Sequence, residues 1–218
     1  KSKFYQWQGK QRVTDSFIPQ QMQVIDVEEP GKNSRLVFKS RAVPQPVADQ
    51  LLVKVAAAGI NRADLMQRRG HYPAPPGESD ILGLEVAGTV VAAGPSLQHW
   101  LGKKVFGLVA GGGYAEYALL NAGHAMLLPD GWSMEEGAAT AEVFLTAYQL
   151  LFTIGQLEAG QKVLIHAGAS GVGTAAIQLA LAAGANVAVT VGSDDKAEFC
   201  RRAGADLAVN YRNDDFAD

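Results

Sequence analysis

KVLIHAGASGVGTAAIQLALAAG, residues 162–184, decides how the second half of this chain folds. It opens with KVLIHAG (162–168), an apolar run of strand length that reads as a buried strand. It closes with GVGTAAIQLALAAG (171–184), rich in Ala and Leu, which predicts a helix. Between them lies Gly168-Ala169-Ser170-Gly171-Val172-Gly173. The G-x-G-x-x-G frame falls on 168, 170 and 173, with Ser170 in the middle place, so the strict fingerprint fails by one residue. A glycine turn between a strand and a helix offers backbone N–H groups and the positive end of the helix dipole, which suits a dinucleotide pyrophosphate. A side chain at the closest glycines would block the phosphate or the helix–strand contact. The competing reading is a glycine-rich turn with no ligand, but three glycines in one such turn call for a reason.

Downstream, NVAVTV (186–191) reads as a second strand, DDKAEFCRRAG (194–204) as a second helix and ADLAVNY (205–211) as a third strand. Strand, helix, strand, helix, strand is half of a doubly wound parallel sheet. A full one needs about six strands, so the nucleotide-binding half is expected to be cut short, as in a fragment, a splice-like form or an ordered part. NAD-binding chains usually place Asp or Glu about 20 residues past the glycines, on the ribose 2′-OH. Here the second strand ends in Val191-Gly192-Ser193. Gly192 has no carboxylate to repel a 2′-phosphate, Ser193 offers a hydroxyl, Lys196 a point charge, and Tyr211 closes the other side. That set favours NADPH. Asp194 and Asp195 weigh against a phosphate nearby, although acids in a first turn also suit the helix dipole. Ser193 as a helix cap, Lys196 as a solvated charge and Tyr211 as a core edge are the plainer alternatives.

Upstream, Ser133 and Glu136 form a capping-box signal, followed by a helical stretch through about 140–155 that ends near Gly155. The first half reads as β. QMQVIDV (21–27), RLVFK (35–39), LLVKVAAAG (51–59), LEVAGTVVAAG (84–94), KKVFGLVA (103–110) and YAEYALL (114–120) are short runs broken by Gly and Pro, which suggests a small barrel or sandwich. RRGHYPAPPGESD (68–80) is too rich in Pro and Gly for either element and reads as a long surface loop.

The chain has 218 residues, 48% hydrophobic and 19% charged, so it can bury a core. A net charge of -3 gives no basic field for nucleic acid or an anionic membrane, and no apolar run approaches a membrane span. Cys200 is the single cysteine, which excludes an intrachain disulfide and a Cys-rich zinc site and fits a reducing, cytoplasmic setting. Lys1, Lys3, Lys10 and Arg12 against Asp15 mark residues 1–20 as an N-terminal extension, with the end of an organellar transit segment as the sharper reading.

As a set, AGINRADLMQRRGHYPAPPG (58–77), ILGLEVAGTV (81–90), GGGYAEYALL (111–120), AEVFLTAYQLL (141–151) and HAGASGVGTAAIQLA (166–180) carry a family resemblance. They resemble the zinc-free quinone oxidoreductase branch of the medium-chain dehydrogenase/reductase superfamily. That group holds zeta-crystallin and the p53-inducible quinone reductases; NRADLMQ, LTAYQLL and HAGASGVGTAAIQL are closest to the latter. The resemblance runs from about residue 22 onward. It implies an α/β plus β fold: a GroES-like β-barrel domain over 21–138, then a partial Rossmann doubly wound NADPH-binding domain over 139–218, with the active site in the cleft between them and a homodimer for the full-length protein. It implies a cofactor site at Asn61, Thr146, Gly168, Ala169, Ser170, Gly171, Val172, Gly173, Gly192, Ser193, Lys196 and Tyr211, and catalytic roles for Asn61 and Tyr72. Asn61 would contact the nicotinamide or the acceptor oxygen, Thr146 the nicotinamide ribose and carboxamide, and Tyr72 the acceptor. Zinc-dependent relatives carry Cys where Asn61 stands, His where Leu84 stands and a further Cys near Glu142, so no metal is expected. Asp64 and Arg62 are assigned to hydrogen bonding within the fold, His71 to the surface and His166 to structure. The implied reaction is direct hydride transfer from NADPH to a quinone. The alternatives are an enoyl-thioester or alkenal reductase of the same superfamily, and a non-enzymatic crystallin-like or RNA-binding role, to which the acidic balance gives little help.

Overall fold

A computed structural model describes residues 18–216; residues 1–17 of the extension expected over 1–20, with all its charged side chains, lie outside the described residues. The chain divides into two compact units, with the boundary between Ala138 and Ala139.

The first unit is β-rich. Strands β1 (Gln21–Glu28) and β2 (Arg35–Ala42) form an antiparallel hairpin. Strands β3 (Gln50–Ala58), β4 (Glu85–Ala93), β5 (Lys104–Leu108), β6 (Tyr117–Asn121) and β7 (Ala125–Leu127) make a five-stranded antiparallel sheet in the order β6-β3-β4-β5-β7. Period-two alternation at the start of β3 feeds two cores. Leu51 and Val53 pack with Val86, Val90, Val105 and Leu120, while Leu52 turns to Met22, Val24 and Tyr117. The predicted strand 114–120 begins later than its sequence suggests. Residues 114–116 follow β1 instead: Ile25 N–H donates to the Tyr114 carbonyl at 2.8 Å and Glu116 N–H to the Gln23 carbonyl at 3.1 Å.

Two short helices complete this unit. Helix α1 (Arg62–Arg68) follows β3, and the segment from 69 to 80 runs without regular structure, as its Pro and Gly content predicts. Helix α2 (Met134–Ala138) starts on the expected capping box. Glu136 N–H donates to Ser133 Oγ at 3.1 Å, and Ser133 N–H donates back to the Glu136 carboxylate at 2.7 Å.

The second unit carries helix α3 (Ala141–Tyr148), which widens into π-type turns over Gln149–Ile154. Gly155 N–H reaches back five residues to the Leu150 carbonyl at 2.9 Å. Sequence periodicity does not distinguish this register from an α-helix. Strand β8 (Lys162–His166), helix α4 (Gly171–Ala182), strand β9 (Asn186–Val191), helix α5 (Asp194–Arg202) and strand β10 (Leu207–Asn210) follow. The strands form a parallel sheet in the order β10-β9-β8. Its core joins Ile177, Ala180, Val187, Val189, Ala197 and Cys200. Burial pushes the Cys200 thiol up, which keeps it protonated.

One expectation is corrected here. The run 162–168 reads as a buried strand, but Leu164 is 48% exposed and only Val163 and Ile165 pack against the core. Among the described residues β8 stands at one end of the order β10-β9-β8, and its Val163 and Ile165 side is the one that meets the core.

Candidate functional site

The glycine turn is built as the sequence predicts, and each glycine has its own reason. A Cβ on Gly168 would meet Val189 Cβ at 2.6 Å, so this glycine lets the turn pass over β9. A Cβ on Gly173 would meet the Ala167 carbonyl oxygen and, at 2.6 Å, the Gly168 carbonyl oxygen, so this one lets α4 rest against the turn. Gly171 is more open: its Cβ would meet only Val143 Cγ1, at 3.1 Å. Ala167 adopts φ 55°, the left-handed region, which tightens the strand-to-helix corner.

Ser170, the residue that breaks the strict fingerprint, caps α4: its Oγ accepts from Gly173 N–H at 3.0 Å. The N–H groups of Ala169, Gly171 and Val172 make no hydrogen bond among the described residues. They sit at the positive end of a twelve-residue helix. That arrangement receives an anion, and the absence of Cβ atoms at 168 and 173 gives the turn the tightness a pyrophosphate site requires. A hollow of about 340 Å³ opens beside it, walled by Leu150, Leu164, His166, Ser170 and Val172. His166 is exposed; its Nδ1 is 2.9 Å from Thr190 Oγ1 and its ring meets Phe216 edge-on. Both contacts match the structural role expected of it.

The second cluster forms where β9 ends. Gly192 and Tyr211 come together: a Cβ at Gly192 would lie 2.6 Å from the Tyr211 hydroxyl oxygen. Tyr211 sits just past β10 and is half exposed. Ser193 caps α5, its Oγ accepting from Lys196 N–H at 3.4 Å, so one residue serves as cap and borders the cluster. Lys196 is exposed and makes no ion pair among the described residues. Asp194, one residue past Ser193, is held by Asn210 Nδ2 at 2.8 Å and Asn213 Nδ2 at 3.3 Å.

In the first unit the structure gathers a polar knot around Asn61. Asn61 precedes α1 with extended backbone, and its N–H donates to Asp64 Oδ2 at 2.7 Å. Its Nδ2 donates to Glu85 Oε1 at 2.8 Å. Tyr114 hydroxyl donates to the same Asp64 oxygen at 2.8 Å. Burial first, then the Asp64 and Glu85 carboxylates, pushes the Tyr114 phenol far above its usual range and keeps it a donor. Glu85 and Asp64 are 2% and 3% exposed. Glu85 and Tyr114 are the residues sequence reasoning missed. The available signal was an acid inside the apolar run LEVAGTVV, where a buried charge requires a partner. The Arg62 side chain is exposed and makes no hydrogen bond among the described residues, which corrects its assignment to the fold. Asp64 does carry that role.

Tyr72 is half exposed in the 69–80 segment and His71 is exposed. Thr146 is half-buried on α3, in the second unit. A larger hollow of about 620 Å³ lies under the β1–β2 hairpin, lined by Leu36, Phe38, Val55, Ile60 and Leu65. Its wall is mostly apolar, and Asp64 and Tyr114 of the polar knot border it on one side.

Residues 47–130 match the alcohol dehydrogenase GroES-like domain, and residues 171–218 match the zinc-binding dehydrogenase domain. The chain belongs to the medium-chain dehydrogenase/reductase superfamily. It aligns with mycobacterial Rv1454c complexed with NADPH at TM-score 0.79 and 35% identity, over 88% of this chain and 60% of that one. It aligns with the quinone oxidoreductase from Coxiella burnetii at TM-score 0.80 and 31% identity, over 90% and 64%. With CurK enoyl reductase the values are 0.78 and 30%, over 88% and 60%. Among curated proteins it is 36% identical over 195 residues to the mycocerosic acid synthase-like polyketide synthase of Mycolicibacterium smegmatis, covering 88% of this chain and 9% of that synthase. The superfamily member therefore spans about 60% of its structural neighbours and a small part of that synthase.

Proposed function

We propose that this superfamily member is the cofactor- and substrate-binding part of an NADPH-dependent oxidoreductase that reduces a quinone without a metal. The observation that carries the reading is the β8–α4 turn, whose glycines at 168 and 173 leave no room for a Cβ beside three N–H donors, of Ala169, Gly171 and Val172, that have no partner among the described residues. Ala169, Gly171 and Val172 would hold the pyrophosphate through their amides. Gly192, Ser193, Lys196 and Tyr211 would hold the ribose 2′-phosphate, the lysine as a point charge and the two hydroxyls as donors. Thr146 and Asn61 would orient the nicotinamide. When bound, NADPH supplies a hydride from its nicotinamide ring. A quinone is electrophilic enough to take that hydride unaided; it then takes a proton and leaves as the hydroquinone.

The residues do not fit a catalytic zinc. Asn61 directs an amide nitrogen at Glu85, Leu84 has no donor, and no three His, Cys, Asp or Glu side chains converge among the described residues. Asn61 would instead contact the nicotinamide or the acceptor oxygen, and Tyr72 the acceptor.

A second reading is enoyl-thioester reduction, which the likeness to CurK enoyl reductase favours. Steady-state NADPH oxidation with 9,10-phenanthrenequinone, 1,4-benzoquinone and a crotonyl thioester separates the two. Turnover of both quinones is expected. Turnover of the thioester alone overturns the quinone reading, and NADPH binding with no turnover at all supports the non-enzymatic alternative.

A further inference from the structure

Asp194 poses a problem for the NADPH reading on which this inference rests. It follows Ser193 directly, so its carboxylate stands within a residue of the groups proposed to hold a dianionic phosphate. The structure shows where that carboxylate goes. Asn210, at the end of β10 and only 6% exposed, donates from Nδ2 to Asp194 Oδ1 at 2.8 Å. Asn213 adds Nδ2 contacts to both carboxylate oxygens at 3.3 and 3.5 Å. The other end of the Asn210 amide is also used: Oδ1 accepts from Arg212 N–H at 3.2 Å. The Asn210 carbonyl accepts from the N–H groups of Asn213 and Asp214 at 2.9 and 3.0 Å. One buried side chain thus ties the first turn of α5 to the turn that carries Tyr211.

We propose that Asn210 is a specificity-determining positioning residue: by holding the Asp194 carboxylate against the end of β10, it keeps that charge off the 2′-phosphate and so preserves selection of NADPH over NADH. An asparagine suits the task because it donates to the carboxylate without bringing a charge of its own, and its carbonyl oxygen remains to fix the Tyr211–Asn213 turn. Asn213 acts as a second tether from the exposed side. Asp194 remains in the first turn of α5, where the helix dipole favours an acid, so the arrangement keeps a stabilising charge while turning it away from the ligand.

The test is a double-mutant cycle read as dissociation constants for NADPH and NADH, measured by quenching of intrinsic fluorescence. In the protein carrying this sequence, Asn210→Ala should weaken NADPH about fivefold relative to NADH, as expected for a carboxylate relaxing a few ångströms toward a phosphate near the surface. Asn213→Ala, at an exposed position, should act in the same direction more weakly and covers the case in which Asn210→Ala does not fold. In an Asp194→Asn background both substitutions should leave the NADPH to NADH ratio unchanged. An Asn210→Ala or Asn213→Ala effect of the same size in both backgrounds overturns the proposal, because the asparagines would then act without Asp194. A parent protein that binds both cofactors equally overturns the proposal together with the NADPH reading. A parent that selects NADPH, with a ratio untouched by either asparagine variant, overturns the proposal alone.

Discussion

Replacing Gly173 by alanine asks whether the β8–α4 turn depends on close backbone approach. A Cβ there would lie 2.6 Å from the Gly168 carbonyl oxygen and 2.7 Å from its carbonyl carbon, and nearer still to the Ala167 carbonyl oxygen. All three are backbone atoms, so no side-chain rotation relieves the contact; α4 must move off the turn or the turn must open. Overpacking of this kind costs about 1–3 kcal/mol. Alanine gains up to about 1 kcal/mol over glycine inside a helix, and less in the first turn, so the clash wins. A net loss of about 1–2 kcal/mol lowers Tm by about 2–8 °C in a chain of this size. Gly171→Ala is the control, two residues earlier in the same helix, where the nearest neighbour would be a valine methyl at 3.1 Å. It should stay within about 0.5 kcal/mol of the parent. Thermal and urea unfolding followed by far-ultraviolet circular dichroism reads both variants, and NADPH titration should show weaker binding for Gly173→Ala. A Gly173→Ala protein as stable as Gly171→Ala would refute the close-approach argument.

Three other substitutions follow from named contacts. Ser170→Ala removes the acceptor for Gly173 N–H and should cost about 1 kcal/mol, measured by urea unfolding. Tyr114→Phe bears on alkaline stability. The folded phenol titrates above its unfolded value, so its contribution is whole below about pH 10 and is lost as pH rises beyond it; the phenylalanine variant should lose less stability across that window. Asp26 tests the acid side. Burial works to raise its pKa, but hydrogen bonds from Arg41, Lys39 and Val27 N–H outweigh that and hold it below the usual aspartate range. Its contribution is therefore present above about pH 4 and lost as pH falls through the lowered value, and Asp26→Asn should flatten the acid limb of a stability–pH curve.

Much of this fold was legible because its signals are local. The apolar run LLVKVAAAG marks β3, the Pro and Gly that follow Arg69 exclude regular structure, and Ser133 with Glu136 marks the start of α2 three residues apart. The β8–α4 turn was legible for the same reason: strand, glycines and helix are contiguous. What escaped depends on distant partners. Glu85 is accommodated inside an apolar strand with the help of Asn61, 24 residues earlier, which donates to it. Ser193 could be read as a ligand donor or as a cap, and the structure shows that it caps α5, as Ser170 caps α4. Asp194 reads as an obstacle to phosphate until Asn210 and Asn213, 16 and 19 residues on, are seen to hold it.

The knot at Asn61 yields the sharpest chemical prediction, because it fixes which atoms of that residue remain to act. One Nδ2 hydrogen is committed to Glu85, which leaves the second hydrogen for a ligand. Asn61→Asp keeps the size and the carbonyl oxygen but sets a carboxylate 2.8 Å or so from a carboxylate that is 2% exposed. Two carboxylates at that separation do not both ionise, so one holds a proton at a raised pKa. A raised folded pKa gives stability that is present at low pH and lost as pH rises through the folded value, at about 1.4 kcal/mol for each tenfold difference in proton affinity between the folded and unfolded chains. Asn61→Asp should therefore be least stable relative to the parent at neutral pH and approach it on acidification toward about pH 5. Asn61→Ala, which removes this donor from Glu85 but sets no second carboxylate beside it, should lose stability with a smaller recovery on acidification. If the two variants show the same pH dependence, the Asn61–Glu85 hydrogen bond does not organise this site, and the role given to Asn61 at the nicotinamide loses its structural footing.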